Sequence, residues 1–171
     1  MLNQLADRVI EKIAHADELF HRLIMLVAVA GVGKTAALRD VHLRTTAPLV
    51  NISLESSRRM LDLTERQRTL QLPRLLAEIV DMSLADAHAN ENEPTRYPGL
   101  ILLDNIEVLF DISLQQDPMR LLQGLSRNRT IVAALSGSIE GDSLIYAAPD
   151  HPEYRRYPIK EFLIVHADIS S

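Results

Sequence analysis

The sequence predicts an α/β fold in which a parallel sheet of five strands is flanked by helices within one domain, residues 1–171. Three observations predict it. Short apolar runs alternate with stretches of helical periodicity along the 171 residues. One apolar run leads straight into a two-glycine loop that opens a helix, and another ends on an aspartate. With 47% hydrophobic residues the chain can close one core, and at this length a second full domain is not expected.

Leu2 to Phe20 carries apolar residues at Leu5, Val9, Ile10, Ile13 and Ala16, the spacing of one helical face. Residues 1–20 therefore read as an N-terminal helix ahead of a core at 21–166. Leu23 to Val29 is a buried first strand, and Thr35 to Leu43 is the helix beyond its loop. "PLVNISL", Pro48 to Leu54, is a second strand. Ser56 or Ser57 can cap a helix that continues to Ala89, broken or kinked at Pro73. Asn90 to Gly99 is polar and lacks periodicity, so it reads as a loop. Leu100 to Leu103, four apolar residues in a row, fit a strand covered on both faces, with Asp104 at its end. Asp117 and Pro118 form a helix start, cap followed by proline, and Met119 to Leu125 supply its turns. Thr130 to Leu135 is a fourth strand with Ser136 at its exit. After a loop containing "YAAPDHPEYRRYPI", Glu161 to Val165 is a fifth.

The chemistry concentrates where the first strand ends. From Ala28 to Thr35 the chain reads A-x-A-G-V-G-K-T, the phosphate-binding pattern G-x-x-x-x-G-K-[ST] with alanine in the first glycine's place. Gly31 and Gly33 let successive backbone N–H groups turn inward around phosphates, and the helix beginning near Lys34 aims its positive end at the same point. The expected nucleotide contacts are Ala30, Gly31, Val32, Gly33, Lys34, Thr35 and Ala36. Lys34 adds a cation for the outer phosphates, and the Thr35 hydroxyl can hold Mg2+. In open α/β sheets ligands bind at the carboxyl ends of strands, so Asp104 is expected to face this loop and hold the same ion. The cofactors implied are ATP and Mg2+.

Many ATPases carry glutamate directly after that aspartate, to activate the attacking water. Here the residue is Asn105, whose amide can hold water but cannot take its proton, so slow hydrolysis is expected. Glu55, after the second strand, and Glu107 are the two carboxylates that could substitute; each also has a bland reading, as a helix-terminal charge and as a solvated loop side chain. Ser136 either touches the terminal phosphate or its water, or merely ends a strand.

These motifs resemble the AAA+ and wider additional-strand class of P-loop ATPases, in which the strand order is 5-1-4-3-2. More narrowly, "LESSRRMLDLTERQRTLQLPRLL", "LLDNIEVLFD", "LLQGLSRNRTIVAAL" and "HPEYRRYP" resemble the BrxF family, small P-loop proteins of type 3 BREX bacteriophage-defence systems. The likeness runs from about Leu23 to His166. It implies a bacterial anti-phage ATPase acting beside a DNA methyltransferase, a helicase and other BREX components. It also implies an AAA+-like core, here expected to lack the helical lid that follows the fifth strand. In AAA+ rings an arginine just before strand five reaches the neighbouring subunit's nucleotide, and Arg155 and Arg156 occupy the matching place; as alternatives, they are surface residues or pair with Asp150 or Glu153. Arg127 and Arg129, at the start of strand four, are the second choice. Arg58 and Arg59 could instead lie near the nucleotide or a partner. A finger in trans implies a homo-oligomer, assembled with nucleotide.

The net charge of −5, with lysine only at positions 12, 34 and 160, gives no support to nucleic-acid binding by bulk charge, and DNA is left open as a partner. Without cysteine there are no disulfides or thiolate metal sites, and the six histidines lack ligand spacing. No membrane span or signal-peptide pattern is read, so a cytoplasmic protein is expected. Two readings of other classes stand beside the ATPase: a nucleotide-dependent assembly switch that hardly hydrolyses, and a small-molecule kinase with "EYRRYP" as its lid.

Overall fold

The computed structural model describes residues 4–89 and 95–167. Its centre is a five-stranded parallel sheet made of β1 (Leu23–Ala28), β2 (Leu49–Asn51), β3 (Leu100–Asp104), β4 (Thr130–Ser136) and β8 (Leu163–His166), in the order β2-β3-β4-β1-β8. Every residue of β1 and β3 is buried, as is β4 up to Ser136, but Val29, expected to end the buried first strand, lies past β1 and is exposed. Side chains alternate across the sheet. Ile24 and Leu26 pack with Leu100, Leu102, Val132 and Ala134 under α1 (Gln4–Ala16) and α2 (Lys34–Thr45). Leu23, Met25 and Val27 face the opposite layer, formed by α3 (Ile52–Met60), α4 (Glu65–Ala89) and α5 (Pro118–Leu125). α1 buries Ala6, Val9, Ile13 and Ala16, much the face that its spacing predicts.

The sheet differs from the expected one in how the chain reaches its last edge. Three strands, β5 (Ser138–Glu140), β6 (Ser143–Tyr146) and β7 (Arg155–Pro158), form a separate antiparallel sheet between β4 and β8. The edge beside β1 is therefore filled by the eighth strand rather than the fifth, and the expected strand at Glu161–Val165 is displaced to Leu163–His166 because Ile159–Glu161 is a 3-10 turn. Strands of three and four residues give little periodicity, and β7 ends on Pro158, which is why this ribbon reads as loop. Leu144 and Tyr157 fasten it to the second layer's core.

Three other boundaries move for local reasons. β2 stops at Asn51, because the Asn51 side chain accepts the Leu54 N–H at 3.1 Å and caps α3; neither Ser56 nor Ser57 is the cap. The expected single helix is two, parted at residues 61–64. Thr64 and Gln67 form a reciprocal capping box, Thr64 N–H to Gln67 Oε1 at 2.9 Å and Gln67 N–H to Thr64 Oγ1 at 3.2 Å, which starts α4. Pro73 does not break α4, which runs through it. Proline cannot donate to the Thr69 carbonyl one turn back, and Gln116 Nε2 fills that vacancy at 2.6 Å. Asn90 to Pro94, half of the expected polar loop, lie outside the described residues, as do 1–3. Among the described residues no helix is long and apolar enough to cross a membrane.

Candidate functional site

β1 delivers the chain to the carboxyl edge of the sheet. Ala28, its last residue, is buried and paired in register with Ser136, and its carbonyl accepts the Gly137 N–H at 3.0 Å. It is an ordinary strand residue, so a Cβ is tolerated where the phosphate pattern has glycine. Left-handed backbone is needed further on, at Gly31 (φ 85°) and Gly33 (φ 83°). Ala30, Gly31, Gly33, Thr35 and Ala36 are exposed and Val32 is half-buried, whereas Lys34, the first residue of α2, is buried. Its Nζ lies beneath the loop, 3.2 Å from the Val29 carbonyl and 3.5 Å from that of Ala28.

Asp104 ends β3 and is buried. Its Oδ2 accepts the Thr35 hydroxyl at 2.8 Å, a contact across 69 residues of sequence, and its Oδ1 accepts the Asn105 N–H at 2.9 Å. The two residues expected to share Mg2+ are thus in contact. One hydroxyl and one carboxylate fit a hard cation that completes its shell with phosphate oxygens and water. Among the described residues there is no cluster of three or more histidine or acidic side chains that could hold a metal unaided.

Asn105 is exposed, with left-handed backbone (φ 55°), and leads into a 3-10 turn, Ile106–Phe110. Burial of Ile106, Leu109 and Phe110 anchors that turn and carries Glu107 back over the sheet edge. There Glu107 Oε1 accepts the Ser136 backbone N–H at 2.9 Å, so Glu107 is not the solvated loop side chain of its bland reading. Tyr146 of β6 stacks on Phe110 with ring centroids 3.9 Å apart. Burial, then the charges of Glu153 and Glu107, pushes its phenol up to about 12.

Glu55 departs from expectation. It lies in the first turn of α3 rather than at a strand exit, and its carboxylate pairs with Arg58 at 3.3 Å. β2, which precedes it, is separated from β1 by β3 and β4.

The arginines separate as well. Arg129 makes a two-point pair with Asp81, Nε to Oδ1 at 2.7 Å and Nη2 to Oδ2 at 2.9 Å, and also donates to the Leu125 carbonyl. Arg127 stacks over Phe20, 5.6 Å from the ring centroid. Arg129 is thus held within the chain, whereas Arg127 stays exposed beside the exposed Phe20. Arg59 contacts Glu78 and Met82. Arg155 and Arg156 sit on β7 instead of in a loop, and adjacent strand residues point to opposite faces. Arg155 is paired across the ribbon with Tyr146 and half-buried; Arg156 is paired with Ile145 and exposed, lining a shallow groove with Asp142, Ser143 and Lys160. Neither makes the considered salt bridge to Asp150 or Glu153.

Sequence reasoning missed the Glu107–Ser136 contact and the ribbon beside it. The spacing D-N-I-E was visible, but nothing local states that a left-handed Asn105 folds it back. A scan of the chain against known protein families finds no match, and a search of curated proteins finds none either.

Proposed function

We propose that this chain is a Mg2+-dependent ATP-binding protein that hydrolyses ATP slowly and self-associates when nucleotide is bound. The observation that carries the reading is the Thr35–Asp104 hydrogen bond beside the buried Lys34 and two left-handed glycines. Chain segments far apart in sequence supply, at one sheet edge, the backbone donors, the cation and the magnesium-binding pair that phosphoryl transfer calls for. Counted along the parallel sheet alone, β8 takes fifth place, which supports an additional-strand P-loop architecture. In this reading Gly31 to Ala36 cradle the phosphates, Lys34 bridges the outer ones, and Ser136 ends the strand between them and Asp104. Arg156, the more exposed of the adjacent arginines, is the one free to reach a second copy. The sequence resemblance to BrxF supports a cytoplasmic BREX component as its biological setting.

The test is calorimetric titration of the purified protein with Mg-ATP, with phosphate release followed in the absence of any acceptor and mass followed by sedimentation. Saturable binding, slow release and a nucleotide-dependent rise in mass are expected. Absence of binding overturns the reading; tight binding without release turns it into the assembly switch, which the exposed Asn105 amide favours.

A further inference from the structure

We infer that Glu107 is the catalytic carboxylate of this site, the group that holds the attacking water and takes its proton. The inference rests on the ATPase reading above and assigns the role that Asn105 cannot fill.

Three placements carry it. Asp104 is committed, since one of its oxygens accepts the Thr35 hydroxyl and the other the Asn105 N–H. Glu107 is centred where Asp104 is not. Its carboxylate is fixed on the N–H of Ser136, the last residue of β4, and β4 lies between β3, which ends in Asp104, and β1, which leads into the glycine loop. Even-numbered residues of β4 donate toward β3, as Thr130 does to the Gly99 carbonyl, and odd-numbered ones toward β1, as Gly137 does to the Ala28 carbonyl, so the Glu107 carboxylate stands on the β3 side of Ser136, just beyond the end of the strand that carries Asp104. Glu55 instead stands on a helix beyond β2, the far edge of the sheet, with its charge turned to Arg58.

The way Glu107 is held suits the task. A bond from Ser136 orients Oε1, and among the described residues this is the one hydrogen bond that Glu107 makes, leaving Oε2 available to water. The side chain is half-buried in a turn whose neighbours Ile106, Leu109 and Phe110 are core residues, so its position is set by packing rather than by a mobile loop. The step is a displacement at phosphorus. The water oxygen bonds to the γ-phosphorus while the bond to the β–γ bridging oxygen breaks and ADP leaves with that electron pair. Glu107 accepts the water's proton and afterwards yields it to the phosphate product or solvent.

Glu107→Gln keeps the shape and the acceptor for the Ser136 N–H and removes only basicity. It should bind Mg-ATP within about twofold of the unmodified protein and lose turnover by roughly 10² or more, the range for a positioned general base. Glu55→Gln should retain both. A readout independent of turnover is hydrogen exchange at the Ser136 amide in the nucleotide-free protein: protected in the unmodified chain and in Glu107→Gln, and faster in Glu107→Ala. Failure of Mg-ATP to bind the unmodified protein would sink the ATPase reading and this inference with it. Binding and turnover that survive Glu107→Gln, binding without any turnover in the unmodified protein, or loss of turnover in Glu55→Gln alone would overturn the assignment of Glu107 while leaving nucleotide binding intact.

Discussion

Lys34→Ala separates what the side chain does for the fold from what it does for a ligand. Its Nζ donates to the carbonyls of Ala28 and Val29, yet neither would be orphaned by its removal. Ala28 keeps the Gly137 N–H at 3.0 Å and Val29 keeps the Val32 N–H at 3.4 Å. The loss is one or two modest hydrogen bonds, about 0.5–1.5 kcal/mol each. Against it stand the relief of a cation at the positive end of α2 and the better helix propensity of alanine, a few tenths of a kcal/mol each. The net effect on stability should stay near 1 kcal/mol, a change of about 2–4 °C in Tm for a chain of this size. The ligand effect should be far larger. A protein that binds Mg-ATP only when folded gains about 2.7 kcal/mol at a hundredfold excess over Kd, or roughly 5–11 °C. Thermal melts by circular dichroism, with and without Mg-ATP, should show that gain in the unmodified protein and none in Lys34→Ala. A variant that melts normally and keeps the full nucleotide shift would refute the assignment of this lysine, and with it the phosphate loop.

Asp104→Ala should make ATP affinity the same in Mg2+ and in EDTA, whereas the unmodified protein should bind more tightly with Mg2+; titrations in the two buffers decide it. Gly137→Ala should destabilise by about 1–3 kcal/mol, since a Cβ there would stand 2.7 Å from the Ile145 carbonyl oxygen, and a urea midpoint unchanged from the unmodified protein would contradict that packing. In Gly31→Ala and Gly33→Ala no atom lies within 4 Å of the new Cβ, so their cost should be the left-handed backbone alone, about 1–2 kcal/mol. Tyr146 is held in its neutral form, with its pKa raised from 10.0 to about 12, and Tyr157 is raised by burial and by Asp117. Because the folded state favours the protonated phenols, their contribution is complete below pH 10 and is lost as pH rises through the folded values. Urea midpoints between pH 9 and 12 should fall, and should fall less in Tyr146→Phe.

What the sequence determined by itself is what neighbouring residues decide among themselves. Uninterrupted apolar runs made β1, β3 and β4 legible, because strands covered on both faces need no polar alternation. The A-G-V-G-K-T stretch announced its turn through glycines that adopt positive φ, and Asp117-Pro118 announced α5, where the Asp117 side chain accepts the Met119 N–H. Equally local signals were present and outweighed by propensity: the Asn51 cap ended β2 three residues early, and the Thr64–Gln67 box started a new helix where a single helix with its break at Pro73 was expected. The tertiary structure alone decided which polar groups meet. Thr35 reaches Asp104 because α2 follows β1, with β4 lying between β1 and β3, and Arg129 is withdrawn from the surface because α4 passes with Asp81 in reach. The placement of Glu55 and of Glu107 was of the same kind. One left-handed residue, Asn105, and three buried side chains after it bring Glu107 to Ser136, 29 residues away, while the Asn51 cap turns Glu55 into a helix and toward Arg58. Periodicity reports which face of an element is buried. Where two elements place their polar ends against each other depends on strand order and packing, which no short window of sequence contains.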